Sequence, residues 1–224
     1  MPGLFPARRR STRDRNDLTT KAMNIQIVIF DGFDELDAVG PFEVLKLAGS
    51  LRPEIQTKMV TLDAVEQITA NHGMQIRPQG RLGESAPDVV IVPGGGWIDQ
   101  APVGVREEVR RGMLPARLAQ LHGAGATMAS VCTGAMLLAA AGLLQDRPAT
   151  TNRAALNDLQ ASGAEIIRAR VVDDGDVITA GGITSGFDLA LWIIERFADA
   201  QLAQAVETRL EYERRGTVWR RTKR

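Results

Sequence analysis

The sequence predicts a doubly wound α/β fold, a mostly parallel sheet sandwiched by helices. Two observations carry this. Short, fully apolar runs of strand length alternate with helical stretches along the chain, and such runs mark strands buried on both faces. The chain has 224 residues, 44% of them hydrophobic and 24% charged, which suits one well-cored body rather than a disordered or fibrous chain.

The first strand is expected at residues 25–30 (IQIVIF), followed by a turn and a helix over 41–48 that opens on Pro41. Residues 58–62 and 65–69 read as two strands joined by a turn at Asp63-Ala64. Residues 89–92 (VVIV) form another buried run, ended by Pro93 and three glycines. Helical spacing covers 105–122, with an interruption expected at Pro115, which has no amide hydrogen to donate. A short strand over 127–131 leads into a nearly all-apolar helix over 134–141. Residues 153–160 read as helix, 171–173 and 177–179 as a hairpin across Gly175, and 184–197 as an amphipathic helix. No internal repeat and no composition-marked linker divides the body.

The charges are distributed unevenly. The chain carries 27 basic and 27 acidic residues, a formal net of zero. Residues 1–22 hold Arg8, Arg9, Arg10, Arg13, Arg15 and Lys21 against Asp14 and Asp17, a net of +4. Residues 209–224 hold seven basic residues against Glu211 and Glu213, a net of +5, so residues 23–208 carry −9. The expected organisation is a disordered basic extension over 1–22, a folded body over 23–208 and a basic tail over 209–224. No apolar run reaches the ~20 residues of a membrane-spanning helix, so no membrane partner is expected. An acidic body gives no support to nucleic-acid binding outside the two ends. A single cysteine excludes an internal disulfide and any cysteine-cluster metal site; with no signal-peptide pattern, a reducing cytoplasmic setting is expected. No spacing of His, Asp and Glu points to a metal, and no cofactor is implied.

In doubly wound sheets ligands bind beyond the carboxyl ends of the strands, and three strand ends here carry unusual residues. After the first come Asp31, Asp34, Glu35 and Asp37; after the third buried run, Gly94-Gly95-Gly96; after the fourth, Cys132-Thr133-Gly134. Cys132 is the sharpest feature. A thiol at a helix N-terminus faces unpaired amides and the positive end of the dipole, which favours the nucleophilic thiolate. Free cysteine is also among the most buried residue types, so position alone does not choose between nucleophile and core residue. Neither histidine partners it by spacing. His122 closes a helix and His72 lies in a turn, which leaves a carboxylate with a pKa raised by burial as the better proton carrier. The glycine turn is not a nucleotide loop; its expected use is to bring Gly94 and Gly95 amides close to a reacting centre.

VPGGG, then VCTGA at a strand end, then TAGGITSGFDLAL opening a late helix, together resemble the DJ-1/PfpI superfamily over roughly residues 25–197. The segment LDAVGPFEV beginning at Leu36 is similar to the branch that holds isonitrile hydratases and the amidase-like domains of certain AraC-type regulators. The resemblance implies a flavodoxin-like fold, a nucleophile elbow at Cys132, a homodimer, and an acid from the first strand–helix junction, Asp37, beside the sulfur. It further implies Asp37, Cys132 and Thr133 as catalytic residues of an isonitrile hydratase-like lyase acting on a small molecule. Glyoxalase- or deglycase-like action on α-oxoaldehydes and cysteine redox sensing are the alternatives. Only 27 residues follow Phe197, too few for the paired DNA-binding modules of the regulators. One departure stands out. Many relatives carry Thr-Thr-His-Trp where this chain reads Thr150-Thr151-Asn152-Arg153, which weakens any cysteine–histidine mechanism and leaves Asn152 as a neutral pocket residue or a helix N-cap.

Overall fold

The computed structural model describes residues 22–221. The expected extension over 1–22 therefore lies outside the described residues, apart from Ala22. The elements run β1 (Met23–Val28), α1 (Glu35–Leu51), β2 (Ile55–Val60), β3 (Ile68–Thr69), β4 (Gln75–Ile76), β5 (Val89–Val92), α2 (Val105–Arg111), α3 (Met113–Gly123) and β6 (Thr127–Ser130). They continue with α4 (Ala135–Ala140), β7 (Pro148–Ala149), α5 (Leu156–Ala161), β8 (Glu165–Ile166), β9 (Val171–Asp173), β10 (Val177–Ala180), α6 (Ser185–Phe197), α7 (Ala200–Leu210) and β11 (Trp219–Arg220).

Seven strands form the central sheet in the order β11-β9-β10-β6-β5-β1-β2. Neighbours from β2 to β10 pair in parallel, β9 runs antiparallel to β10, and β11 pairs parallel to β9. Numbered by chain position among themselves, the five parallel strands stand in the order 2-1-3-4-5, which is the flavodoxin-like arrangement. Helices α1, α6 and α7 pack on one another, and α2 to α5 form a second group, so the sheet is covered twice. That explains the apolar runs: Val89, Val90, Ile91 and Val92 are completely buried. The edge strand β2 instead alternates, with Gln56 and Lys58 exposed between buried neighbours.

Several boundaries differ from expectation for identifiable reasons. Helix α1 starts at Glu35, not at Pro41, because the Asp34 side chain caps it by accepting from the Leu36 amide at 3.3 Å. Pro41 sits inside the helix and packs towards Gly186 of α6, where an added Cβ would lie 3.1 Å from the proline ring. The stretch over 105–122 is broken at Gly112, whose φ of +74° ends α2. Pro115 falls in the first turn of α3, where a missing amide costs nothing. Of the strand expected over 65–69 only Ile68–Thr69 pairs, with β4, in a separate small sheet. Helix α7 was not expected at all; the Asp199 side chain accepts from the Leu202 amide at 2.7 Å and starts it.

The run expected as a basic tail from residue 209 returns to the body over its described part. The Tyr212 hydroxyl donates to the Asp188 carboxylate at 3.1 and 3.2 Å, and Arg214 Nε donates to Glu207 at 2.7 Å. Trp219 and Arg220 then add the outermost strand of the sheet.

Candidate active site

Three chain segments converge where the strand order reverses between β1 and β5, with the end of β6 alongside. Backbone bonds hold the glycine turn after β5 on both sides: the Asp34 amide of the loop after β1 donates to the Gly94 carbonyl at 2.8 Å, and the Val105 amide at the start of α2 to the Gly95 carbonyl at 2.9 Å. Side chains do not fit there. A Cβ on Gly95, whose φ is +121°, would lie 2.4 Å from the Gly32 carbonyl oxygen; one on Gly94 would lie 2.6 Å from Thr133 Oγ1 and 2.8 Å from Asp37 Oδ2. The triple glycine thus serves close backbone approach.

Asp37, in the first turn of α1, is fully buried. The Gly94 amide donates to its Oδ2 at 3.0 Å, while Oδ1 has no well-directed hydrogen-bond partner. Burial, and secondarily the charge of Asp34, push its pKa up to about 7. The Gly94 amide and the Cys132 thiol pull in the other direction without cancelling the shift.

Cys132 follows β6 with a φ of +55°, in a single turn of 3-10 helix that leads into α4. Its amide donates to the Gly181 carbonyl at 2.9 Å, and its carbonyl accepts from Thr151 Oγ1 at 2.7 Å. These two bonds hold a backbone conformation that costs a non-glycine residue roughly 1–3 kcal/mol. Gly134 makes the sharp turn possible, since a Cβ there would lie 2.2 Å from the Val92 carbonyl oxygen. Cys132 is 5% exposed, and its sulfur accepts from Asn152 Nδ2 at 3.4 Å. Asn152 Oδ1 accepts from the Ala154 amide at 3.0 Å, so one side chain caps the next helical turn and donates to the sulfur.

The electrostatics differ from the expectation drawn from the helix terminus. Burial first, and the charge on Asp37 second, push the Cys132 thiol up to about 12. Asn152 and the amides of Ile183 and Thr133 oppose this but are outweighed. The resting thiol is protonated because desolvation dominates a dipole supplied by one short turn. The glycine amides also differ from expectation. Gly94 is engaged by Asp37, and Gly95 donates to Thr133 Oγ1 at 3.1 Å. They fix the acid and the threonine, and the donors aimed at the sulfur are Asn152, Thr133 and Ile183. Sequence reasoning missed Ile183. Its φ of +40° is rare for a β-branched residue, and the Gly181-Gly182 pair before it is the signal that a tight turn brings an amide there.

The histidines lie elsewhere. His72 Nδ1 pairs with Glu35 at 2.7 Å and His122 Nε2 with Asp176 at 2.8 Å. Among the described residues no group of His, Cys, Asp and Glu is placed to hold a metal ion.

A cavity of about 710 Å³ lies on the far side of the residues that touch Cys132, which does not itself line it, and its size suits a small molecule. Thr151, Asn152, Gly181 and Ile183, all in contact with Cys132, form one wall, and Arg153, Arg168 and Arg170 bring positive charge to it.

Comparison with known proteins matches the sequence and the fold to one group. The sequence profile of the DJ-1/PfpI family matches residues 23–196. An isonitrile hydratase of Pseudomonas putida is 37% identical over 193 residues, 85% of this chain and 79% of its own length. A deglycase of Thermococcus kodakarensis is 28% identical over 161 residues, 70% of this chain and 89% of its own length. Among solved structures, a ThiJ/PfpI family protein from Pseudomonas syringae superposes with a TM-score of 0.75 at 24% identity, over 94% of this chain and 84% of that one.

Proposed function

The chain belongs to the DJ-1/PfpI family, and from that premise we propose that it is a cysteine-dependent enzyme that hydrates an isonitrile to an N-substituted formamide. The observation that carries the reading is the pairing of a buried, protonated thiol at Cys132 with a buried Asp37 carboxyl whose pKa of about 7 lets it take and return a proton at neutral pH.

In this reading Asp37 accepts the thiol proton as Sγ attacks the terminal carbon of R–N≡C, and Asn152 and the Thr133 and Ile183 amides steady the thiolate. The Sγ–C bond forms, and the proton held by Asp37 passes to the same carbon, giving the thioimidate R–N=CH–S–Cys. Water then adds across the C=N bond, its oxygen to carbon and a proton to nitrogen, with Asp37 relaying the proton. The C–S bond breaks with its electron pair on sulfur, the hydroxyl proton returns to the thiol, and R–NH–CHO leaves. The sum is R–N≡C plus water, with no redox partner. Thr133 positions the glycine turn through its hydroxyl.

Deglycase-like action on α-oxoaldehydes is the second reading, supported by the same cysteine–acid pair and by similarity to the Thermococcus protein. Redox sensing is disfavoured, because sensor cysteines are exposed and of low pKa, whereas Cys132 is buried with a raised one. The assay that decides is wild-type protein incubated with a simple alkyl isonitrile and, separately, with methylglyoxal. Formamide selects the first reading; lactate without formamide replaces it with the second. We also propose that the enzyme works as a cytoplasmic homodimer, which light scattering in solution tests; a mass of one chain would refute the dimer.

A further inference from the structure

We infer that the substrate carries an anionic group, a carboxylate, which Arg153 and Arg168 receive in the cavity beside Cys132. The inference names the substrate class of the proposed hydratase and rests on that reading for the reacting carbon, but not for the charge.

The cavity runs against the electrostatics of its surroundings. Residues 23–208 carry a net of −9, yet no Asp or Glu lines this space, and three arginines do. Arg170 is spoken for: its Nε donates to the buried Asp188 carboxylate at 2.7 Å. Arg153 and Arg168 are exposed and have no carboxylate partner among the described residues, so of the three arginines on this wall only Arg170 is neutralised from within. Two guanidiniums left unpaired at the mouth of a small-molecule cavity are charge without an internal answer. The planar fork of arginine matches a carboxylate with two parallel charge-assisted bonds.

Position ties this charge to the reacting centre. Arg153 directly follows Asn152, whose Nδ2 touches Sγ, and it opens the 3-10 turn that Asn152 caps. Arg168 lies on the segment between β8 and β9, next to Ala169 and Arg170, which also line the cavity. Asn152 both lines the cavity and touches the sulfur, so a compact molecule whose reacting carbon meets Sγ past Asn152 would place a carboxylate a few bonds away within the reach of this charge. A neutral molecule of the same size leaves both arginines to water.

The test uses a matched pair, N-formylglycine and its methyl ester, titrated calorimetrically into wild-type protein, and isocyanoacetate with its methyl ester as substrates. The acid is expected to bind at least about tenfold more tightly than the ester, the worth of one good charge-assisted contact. Arg153→Leu and Arg168→Leu are each expected to remove most of that preference without changing ester binding, and Arg153→Lys to restore part of it. Equal binding of acid and ester, absence of acid binding, or a double Arg153→Leu/Arg168→Leu protein that still prefers the acid would overturn the inference. The two claims separate cleanly. Acid-selective binding with neither isonitrile hydrated sinks the hydratase reading alone, and hydration of both isonitriles without acid selectivity sinks the anion site alone.

Discussion

Desolvation sets the protonation of both Asp37 and Cys132, and each then answers to the other. The folded-state pKa of Asp37, about 7, lies above its ordinary 3.8, so the native protein holds a proton that the unfolded chain releases. Stability from this group is therefore fully present below about pH 4 and is lost as pH rises through 7. Asp37→Asn, which keeps an oxygen for the Gly94 amide, should raise the thermal midpoint at about pH 8 and leave it unchanged near pH 4, as read by thermal denaturation across that range. The same variant should lose about 10²–10⁴-fold in kcat/KM, along with the rise in rate through pH 7. A destabilised variant at pH 8 would contradict the buried carboxylate. That Asp37, Cys132 and Thr133 come together around the glycine turn was legible from motif resemblance. The state of the thiol was not, because an argument from a helix terminus carries no information about burial, and burial here outweighs it. Arg153 and Arg168 were invisible as a pair, since the loops that bring them to one cavity lie fifteen positions apart in the chain.

At the scale of elements, the site depends on a strand-to-helix turn too tight for a side chain. Gly134 has an ordinary helical φ of −56°, so its need for glycine is steric alone: the Val92 and Pro93 carbonyl oxygens would stand 2.2 and 2.8 Å from an added Cβ. Gly134→Ala should cost about 3 kcal/mol or more by overpacking and displace Cys132. Gly123→Ala, with open space around it, should be neutral or slightly stabilising. Urea unfolding of the two variants checks the contrast; equal midpoints would refute the steric account. Elements whose burial was uniform were easiest to read. Strand β5 was expected at the bounds it has, because four consecutive apolar residues buried on both faces leave no ambiguity. Helix α1 was begun six residues late because Pro41 imitates a first-turn proline, whereas the cap is Asp34. Helix α7 was not legible because its apolar stripe is thin, Leu202, Ala203 and Val206 with Leu210 partly buried at its end.

Across the whole molecule, a basic C-terminal segment is bound to an acidic body. Arg214 reaches Glu195 and Glu207, the Arg215 amide donates to Asp188 at 2.9 Å, and Trp219–Arg220 complete the sheet edge beyond β9. Asp188 also holds Arg170 at the cavity wall, so the C-terminal segment and the site share one buried carboxylate. Removing residues 213–224 should lower stability by about 2 kcal/mol or more and weaken the cavity wall; an unchanged urea midpoint would mean that the segment is a solvated tail after all. This strand was not readable in the sequence, because its two residues pair through backbone at an edge and carry no apolar run. The parallel pairing of the five strands from β2 to β10 was, because it follows from buried strands alternating with helices, and their flavodoxin-like order was implied by the family resemblance.

The central claim is that Cys132 is the nucleophile of an isonitrile hydration, and the most direct measurement compares formamide production by wild-type and Cys132→Ser proteins, each shown to be folded, on the same alkyl isonitrile. We predict formamide from the wild type and no more than the uncatalysed background from Cys132→Ser. Formamide formed by Cys132→Ser at the wild-type rate would contradict the account.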